Sequence, residues 1–247
     1  MSATLCIDWG NSRVKAAIFK DKKLVEVQNF SDSEAANSLA SLISQHQPTK
    51  GILCSVVKHP QDVEQMLREN LRHFSILDSN TRVPIMNAYT TPGTLGADRL
   101  ATVVAAHMLN PDKNNLVISV GTCITYNFIQ KTRTYRGGAI SPGLHMRLKA
   151  MNQFTDRLPE VKVDGDLLLL GYDTDTCMRS GAIFGMAAEM DGMIDRFASQ
   201  YPDFNAILTG GDGPFFASKL KNKIFADPDL LLKGLNLIVD YNVPQLQ

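Results

Sequence analysis

The chain has 247 residues, 44% of them apolar and 20% charged, and its 25 Lys and Arg balance 25 Asp and Glu. Such a composition belongs to a folded globular protein rather than a disordered one, and a formal net charge of zero gives no long-range attraction toward nucleic acid or an anionic membrane. No apolar run reaches the ~18 residues of a spanning helix, and the opening MSATLCIDWG lacks a basic leader followed by an apolar stretch, so a cytoplasmic protein is expected.

In chain order, Leu5 to Ile7, Val14 to Phe19 and Leu24 to Val27 are apolar runs separated by Gly10-Asn11-Ser12 and Asp21-Lys22-Lys23. This predicts three short strands joined by tight turns. Leu39, Leu42 and Ile43 fall on one helical face, predicting a helix from Ser31 to His46 that Asp32 or Ser33 caps and Pro48 and Gly51 end. A strand at Ile52 to Val57, a helix at Pro60 to Arg72, a strand at Phe74 to Leu77 and a helix from about Ala97 to Leu109 follow by the same patterning.

Near Pro111 the pattern restarts. Leu116-Val117-Ile118-Ser119-Val120-Gly121-Thr122 aligns with Leu5-Cys6-Ile7-Asp8-Trp9-Gly10-Asn11 at a constant offset of 111 residues. Any two α/β segments share an apolar strand before a glycine turn, but here the strand, turn, strand, strand order also recurs, with strands at Cys123 to Ile129 and Tyr135 to Ile140. A long helix from about Thr174 to Ser199, a strand at Ala206 to Leu208 and a helix after Gly210-Gly211-Asp212-Gly213 complete the reading. The expectation is an α/β protein of two copies of one unit, with domains at 1–112 and 113–247.

Asp8-Trp9-Gly10-Asn11-Ser12-Arg13-Val14-Lys15 sets a carboxylate at the end of a buried strand, then a turn whose glycine admits close backbone approach, then a hydroxyl and cations. Its exposed N–H groups, Ser12 and Arg13 or Lys15 suit phosphate oxygens, and Asp8 suits Mg²⁺, usually through water; a plain hairpin would look the same. The chain contains neither G-x-x-x-x-G-K-[ST] nor a strand-linked G-x-G-x-x-G, so a nucleotide needs paired hairpins instead. Val120-Gly121-Thr122 is the natural second hairpin, and Leu208-Thr209-Gly210-Gly211-Asp212 lets a flat base or ribose approach the backbone. Together these suggest the two-domain ATPase architecture of actin, sugar kinases and the seventy-kilodalton chaperones, two ribonuclease-H-like halves with ATP bound between them. Asp98-Arg99, at a predicted helix start after Asn87 to Ala97, places a base beside an anion clamp, which suits a hydroxylated carboxylic acid.

With these residues in hand the sequence resembles the type III pantothenate kinases. The matching motifs are Asp8 to Ser12, Gly96 to Arg99, Ser119 to Thr122 and Gly137 to Gly143, followed by Gly171-Tyr172-Asp173-Thr174, Ser180-Gly181 and Gly210-Gly211-Asp212. The resemblance implies ATP-dependent phosphorylation of pantothenate to 4′-phosphopantothenate, the entry step to coenzyme A. It implies Asp98 as general base, Tyr89, Gly96, Ala97, Arg99 and Thr174 at pantothenate, and Asp8, Trp9, Gly10, Asn11, Ser12, Arg13, Val14, Lys15 and Thr122 at ATP with Mg²⁺. A homodimer and a potassium or ammonium ion are also implied. The family usually holds that ion with an aspartate opening the second hairpin, where this chain has Ser119, a neutral and much poorer cation ligand. Asn127 likewise stands where aspartate is common, which puts the cation requirement in question and raises the alternative of a non-catalytic regulator or ligand-binding member of the fold. A kinase or phosphatase of another small substrate is a third reading.

The remaining features read as structural. Cys6, Cys54, Cys123 and Cys177 form no C-x-x-C pair and are expected to be reduced thiols acting as small buried hydrophobes. The scattered His46, His59, His73, His107 and His145 read as surface or core residues, and Asp164-Gly165-Asp166 and Asp173-Thr174-Asp175 as turns and caps. Met186, Met190 and Met193 read as a packing stripe on the long helix.

Overall fold

The computed structural model describes residues 3–243. Its elements in order are β1 (Ala3–Trp9), β2 (Val14–Lys20), β3 (Lys23–Phe30), α1 (Ala35–His46), β4 (Lys50–Ser55), α2 (Gln61–Asn70), β5 (His73–Ile76), β6 (Met86–Asn87) and α3 (Ala97–Leu109). They continue with β7 (Asn114–Val120), β8 (Cys123–Ile129), β9 (Thr134–Pro142), α4 (Leu144–Gln153), α5 (Thr174–Gln200), β10 (Phe204–Thr209), α6 (Gly213–Ala217), β11 (Phe225–Ala226) and α7 (Leu230–Asn242). Two compact units result, and they are not consecutive stretches of chain. The first holds the chain up to Pro111, Gln130–Arg136 and the segment from Asp229 onward; the second holds Asp112–Ile129 and Gly137–Pro228. The last helix therefore groups with the first unit, whereas division into 1–112 and 113–247 would assign it to the second.

In the first unit the strand order is β3-β2-β1-β4-β5, with β1 antiparallel to β2 and parallel to β4. Successive strand residues face opposite sides. Leu5, Ile7 and Trp9 accordingly share a core with Ala16, Ile18, Leu39, Leu42, Val63 and Leu67 of β2, α1 and α2. Each large apolar side chain buried there stabilises the unit by about 1.5–3 kcal/mol. Alternation sends Cys6 and Asp8 to the other face of β1, where Asp240 of α7 lies near the Cys6 thiol. The α7 helix packs along α3 so closely that a Cβ on Gly234 would stand 2.0 Å from the carbonyl oxygen of Ala101. Lys50 of β4 ties the end of α7 through Asp240 at 2.9 Å. The sequence patterning named no helix over Leu230–Asn242, nor α4.

In the second unit the order β9-β8-β7-β10-β11 repeats the first, with β7 antiparallel to β8 and parallel to β10. Leu116, Ile118 and Val120 face its core with Tyr126, Phe128, Met186 and Met190, taking the places that Leu5, Ile7 and Trp9 hold in the first. The 111-residue offset thus maps β1 onto β7 residue for residue, and the methionine stripe is core as expected. Cys6 and Cys54 are buried, but Cys123 is half-buried and Cys177 exposed, because Cys177 lies on the outer face of the first turns of α5. Among the described residues no helix is long and apolar enough to cross a membrane.

Candidate active site

Asp8 ends β1 with Lys15 opposite it on β2 and Cys54 opposite it on β4. Burial pushes its carboxyl up to about 7, the nearby charge of Asp98 adds to the rise, and Lys15 opposes it. Lys15 in turn pairs with Asp229 at 2.8 Å, so its ammonium is shared between this face and the residue that begins α7. Between the strands, Gly10 donates its N–H to the Arg13 carbonyl at 3.2 Å, closing the turn. Asn11, Ser12 and Arg13 are exposed at the tip. Trp9 is buried, its indole N–H donates to Asp32 at 2.7 Å, and its ring lies 5.9 Å from that of His59. A cleft of about 290 Å³ opens here, lined by Trp9 to Val14, Asp32, Val57 and Lys58. Trp9 and Val14 therefore build the floor of the loop, while Asn11, Ser12, Arg13 and Lys58 offer it donors and cations.

Asp98 lies in the first turn of α3, whose N-cap is Gly96. Its carboxylate accepts the backbone N–H groups of Arg99 and of Asp98 itself, yet burial outweighs these and raises its pKa. A Cβ on Gly96 would sit 2.4 Å from an Asp98 carboxylate oxygen, so the glycine leaves the room that the carboxylate fills. The helix begins here because Gly96 supplies its carbonyl to the N–H groups of Arg99 and Leu100. Arg99 is 6% exposed, with its guanidinium 5.6 Å from the centre of the Tyr89 ring. Tyr135 stacks on Tyr89 at 6.2 Å and 15°, and its hydroxyl, pushed up to about 12 chiefly by burial, accepts from Arg99. Tyr89 reaches this position because β6 pairs with the start of β9, Met86 with Thr134 and Asn87 with Tyr135. Asp98 thus lies near enough for its charge to raise Asp8, and Arg99, Tyr89 and Tyr135 form one cation-aromatic stack, both within the first unit.

Thr122 is exposed at the two-residue tip between β7 and β8. Two glycines crowd that hairpin from within the second unit. A Cβ on Gly143 would stand 2.0 Å from the Gly121 carbonyl oxygen, and one on Gly210, whose φ is +93°, 2.3 Å from that of Val120. Ser119 faces Thr125 across the hairpin, and Asn127, fully buried, donates its amide to the Thr125 hydroxyl at 3.1 Å. These are neutral groups, and among the described residues no set of three or more His, Cys, Asp or Glu is placed to hold a metal. Asp8, raised by burial and by the nearby charge of Asp98, is nevertheless a fitting setting for a divalent ion, whose charge would offset that repulsion. Thr174 opens α5, exposed, next to Asp173, whose side chain caps the helix by accepting the Thr176 N–H at 2.8 Å.

Sequence reasoning missed Tyr135, Lys58, Asp32 and Asp229. Tyr135 was legible only as a strand residue, and Asp229 lies 214 positions from its partner Lys15. No local pattern announces either.

The two like-ordered sheets, each opening on a glycine hairpin, define the fold of the actin and sugar-kinase class. The structure is similar, over 99% of both chains and with a TM-score of 0.54 at 10% identity, to an activator of 2-hydroxyisocaproyl-CoA dehydratase from Clostridium difficile with bound ADPNP. A conserved Campylobacter jejuni protein described as a Baf family transcriptional activator matches with a TM-score of 0.59 at 20% identity, covering 96% of this chain and 98% of that one. Within that class the family is specific. Residues 4–196 match the family described as type III pantothenate kinase, and a type III pantothenate kinase of Phocaeicola vulgatus is 46% identical over 238 residues, 96% of this chain and 98% of that one. The chain belongs to the type III pantothenate kinase family.

Proposed function

We propose that this chain transfers the γ-phosphoryl group of ATP to the primary hydroxyl of pantothenate, with Asp98 as the base. The hydroxyl oxygen forms its bond to phosphorus as the bond to the ADP oxygen breaks, and the hydroxyl proton passes to the Asp98 carboxylate. The observation that carries this reading is the Asp98-Arg99 pair: a half-buried carboxylate with a raised pKa, beside a buried guanidinium under Tyr89. A raised pKa makes the carboxylate a better proton acceptor, and Arg99 with Tyr89 offers a fixed fork and a ring face for the pantothenate carboxylate. Gly96 and Ala97 supply the backbone at the helix start beside them.

The Asp8 to Lys15 hairpin holds the ATP phosphates, through its N–H groups, Asn11, Ser12 and the exposed Arg13, and Thr122 contacts ATP from the second hairpin. Asp8 would hold Mg²⁺, which would supply neutralising charge for the phosphates; the transfer otherwise depends on positioning. Thr174 contacts pantothenate, and a cytoplasmic homodimer belongs to the same reading. Ser119 supports a weakened or absent requirement for potassium or ammonium. Neither the non-catalytic alternative nor a different small substrate has an observation in its favour. Incubating the protein with ATP, Mg²⁺ and pantothenate, with sugars, glycerol and acetate as competitors, tests the reading by mass spectrometry. Formation of 4′-phosphopantothenate unaffected by the competitors is expected, and phosphorylation of a competitor instead would overturn it.

A further inference from the structure

Glu189, on α5, takes part in nothing described so far, and it is the centre of a hydrogen-bonded cluster in the second unit. Three donors converge on its half-buried carboxylate: the Tyr126 hydroxyl of β8 at 2.8 Å, the Ser141 hydroxyl of β9 at 3.1 Å and the guanidinium of Arg147 on α4. Burial works against its ionisation, but the bonds from Arg147, Tyr126 and Ser141 together hold its pKa below the usual carboxylate range. Arg147 is then committed elsewhere as well. Its Nε donates to the Pro142 carbonyl at 2.9 Å and its Nη2 to the Ser141 hydroxyl at 2.9 Å.

Ser141 and Pro142 lead directly into Gly143, whose N–H donates to the Thr122 carbonyl at 3.1 Å. There the missing Cβ leaves the backbone of Gly143 pressed on Gly121 and Thr122. The opposite flank of the hairpin is held by backbone alone, through the Asp212 N–H to the Val120 carbonyl at 3.0 Å and the close approach of Gly210. One clamp is thus fixed by the path of the chain, and the other by an ion pair between two helices.

We infer that Glu189 is a positioning residue for the kinase reaction: through Arg147 and Ser141 it fixes the Pro142-Gly143 turn against Gly121-Thr122 and so sets the second hairpin for ATP. This inference rests on the reading of Thr122 as an ATP contact. A half-satisfied polar cluster is costly, because the partners left behind are buried or preorganised for a group that is gone. Its loss would therefore release the turn, while Leu144 and Leu148 of α4 and Met186 and Met190 of α5, which share the core beside the cluster, keep the unit folded.

The test is a steady-state comparison of Glu189→Ala, Glu189→Gln, Thr122→Ala and Glu189→Ala/Thr122→Ala, each with KM for ATP and for pantothenate. Removing a charge-assisted set of this kind is expected to raise the KM for ATP about ten-fold, with the KM for pantothenate unchanged. Glu189→Gln, which keeps one acceptor oxygen but neither the second nor the charge for Arg147, should fall between. The effect of Glu189→Ala should shrink in the Thr122→Ala background, since both act through one hairpin. An unchanged KM for ATP in Glu189→Ala and Glu189→Gln, beside a raised one in Thr122→Ala, overturns the positioning role. So does an equal rise in both KM values, which marks a general loss of structure. An unchanged KM for ATP in Thr122→Ala overturns the Thr122 reading itself, and that outcome is distinct from the other two.

Discussion

The β1–β2 and β7–β8 hairpins occupy the same place in two sheets of the same strand order, yet they are built from different physics. In the first, the cross-strand pair after the inner-face residues is Asp8 with Lys15, a half-buried acid and base, with the charge of Asp98 near Asp8. In the second the corresponding pair is Ser119 with Thr125, two hydroxyls. The first hairpin has a four-residue exposed loop beside a cleft. The second has a two-residue tip, pinned by Gly143 and Gly210 where no side chain fits. One scaffold is therefore built on charge in one copy and on close backbone packing in the other.

Between the two hairpins, removing the charge from the first copy should have the largest effect. Asp8→Asn is expected to cut turnover by about 10²–10³-fold, as when a preorganised electrostatic group is lost. The same variant carries a pH signature. A carboxylate raised to about 7 favours the folded state fully only below the ordinary range near 4, and that contribution is lost as pH rises through 7. Metal-free Asp8→Asn should thus melt higher than the parent protein at pH 8 and show little difference at pH 4, by scanning calorimetry. A gain that is equal at both pH values would contradict the buried-carboxylate account.

Arg99→Lys tests the stack beside Asp98. A lysine keeps the charge but loses the planar fork and its contacts with Tyr89 and Tyr135, so the KM for pantothenate should rise about ten-fold or more with the KM for ATP unchanged. Gly143→Ala tests the second copy's packing. The added methyl meets backbone oxygens at 2.0 and 2.7 Å, so a loss of about 2 kcal/mol of stability in urea titration is expected. Tolerance of alanine there would break the contrast between the two hairpins. The smallest effect is that of Ser119→Asp, which makes the second copy resemble the first. It should increase the response of activity to potassium by a few-fold, by about the difference between a charged and a neutral oxygen ligand; no change in salt response would count against Ser119 as the altered ion position.

Much of this layout was legible because strands and hairpins announce themselves locally. Leu5, Ile7 and Trp9 alternate with Cys6 and Asp8, glycine follows, and the same text recurs 111 residues later, so β1, β7 and their hairpins could be placed. The helix expected from about Ala97 to Leu109 is α3, Ala97–Leu109. What escaped was made by distance along the chain. Leu230 to Val239 is nearly continuous apolar sequence with a glycine inside, which reads neither as amphipathic helix nor as strand until α3 is there to receive Gly234. Tyr135 joins Tyr89 and Arg99 only through the short β6–β9 pairing, and Lys15 finds Asp229 only after α7 has returned to the first unit. The scattered histidines behaved as structural residues where partners are visible: His46 bonds Glu26 at 2.7 Å and His59 bonds Glu64 at 3.1 Å.

The central claim is that Asp98 takes the proton, and Asp98→Asn measured for turnover and for binding together tests it most directly. The amide keeps the size and most hydrogen bonds of the carboxylate but cannot accept the proton. Turnover should fall by about 10²–10⁴-fold, while calorimetric affinities for ATP with Mg²⁺ and for pantothenate stay within about three-fold, well under the ten-fold that 1.4 kcal/mol represents. Turnover within a few-fold of the parent protein, with both ligands bound, would contradict the assignment and move the base to another group.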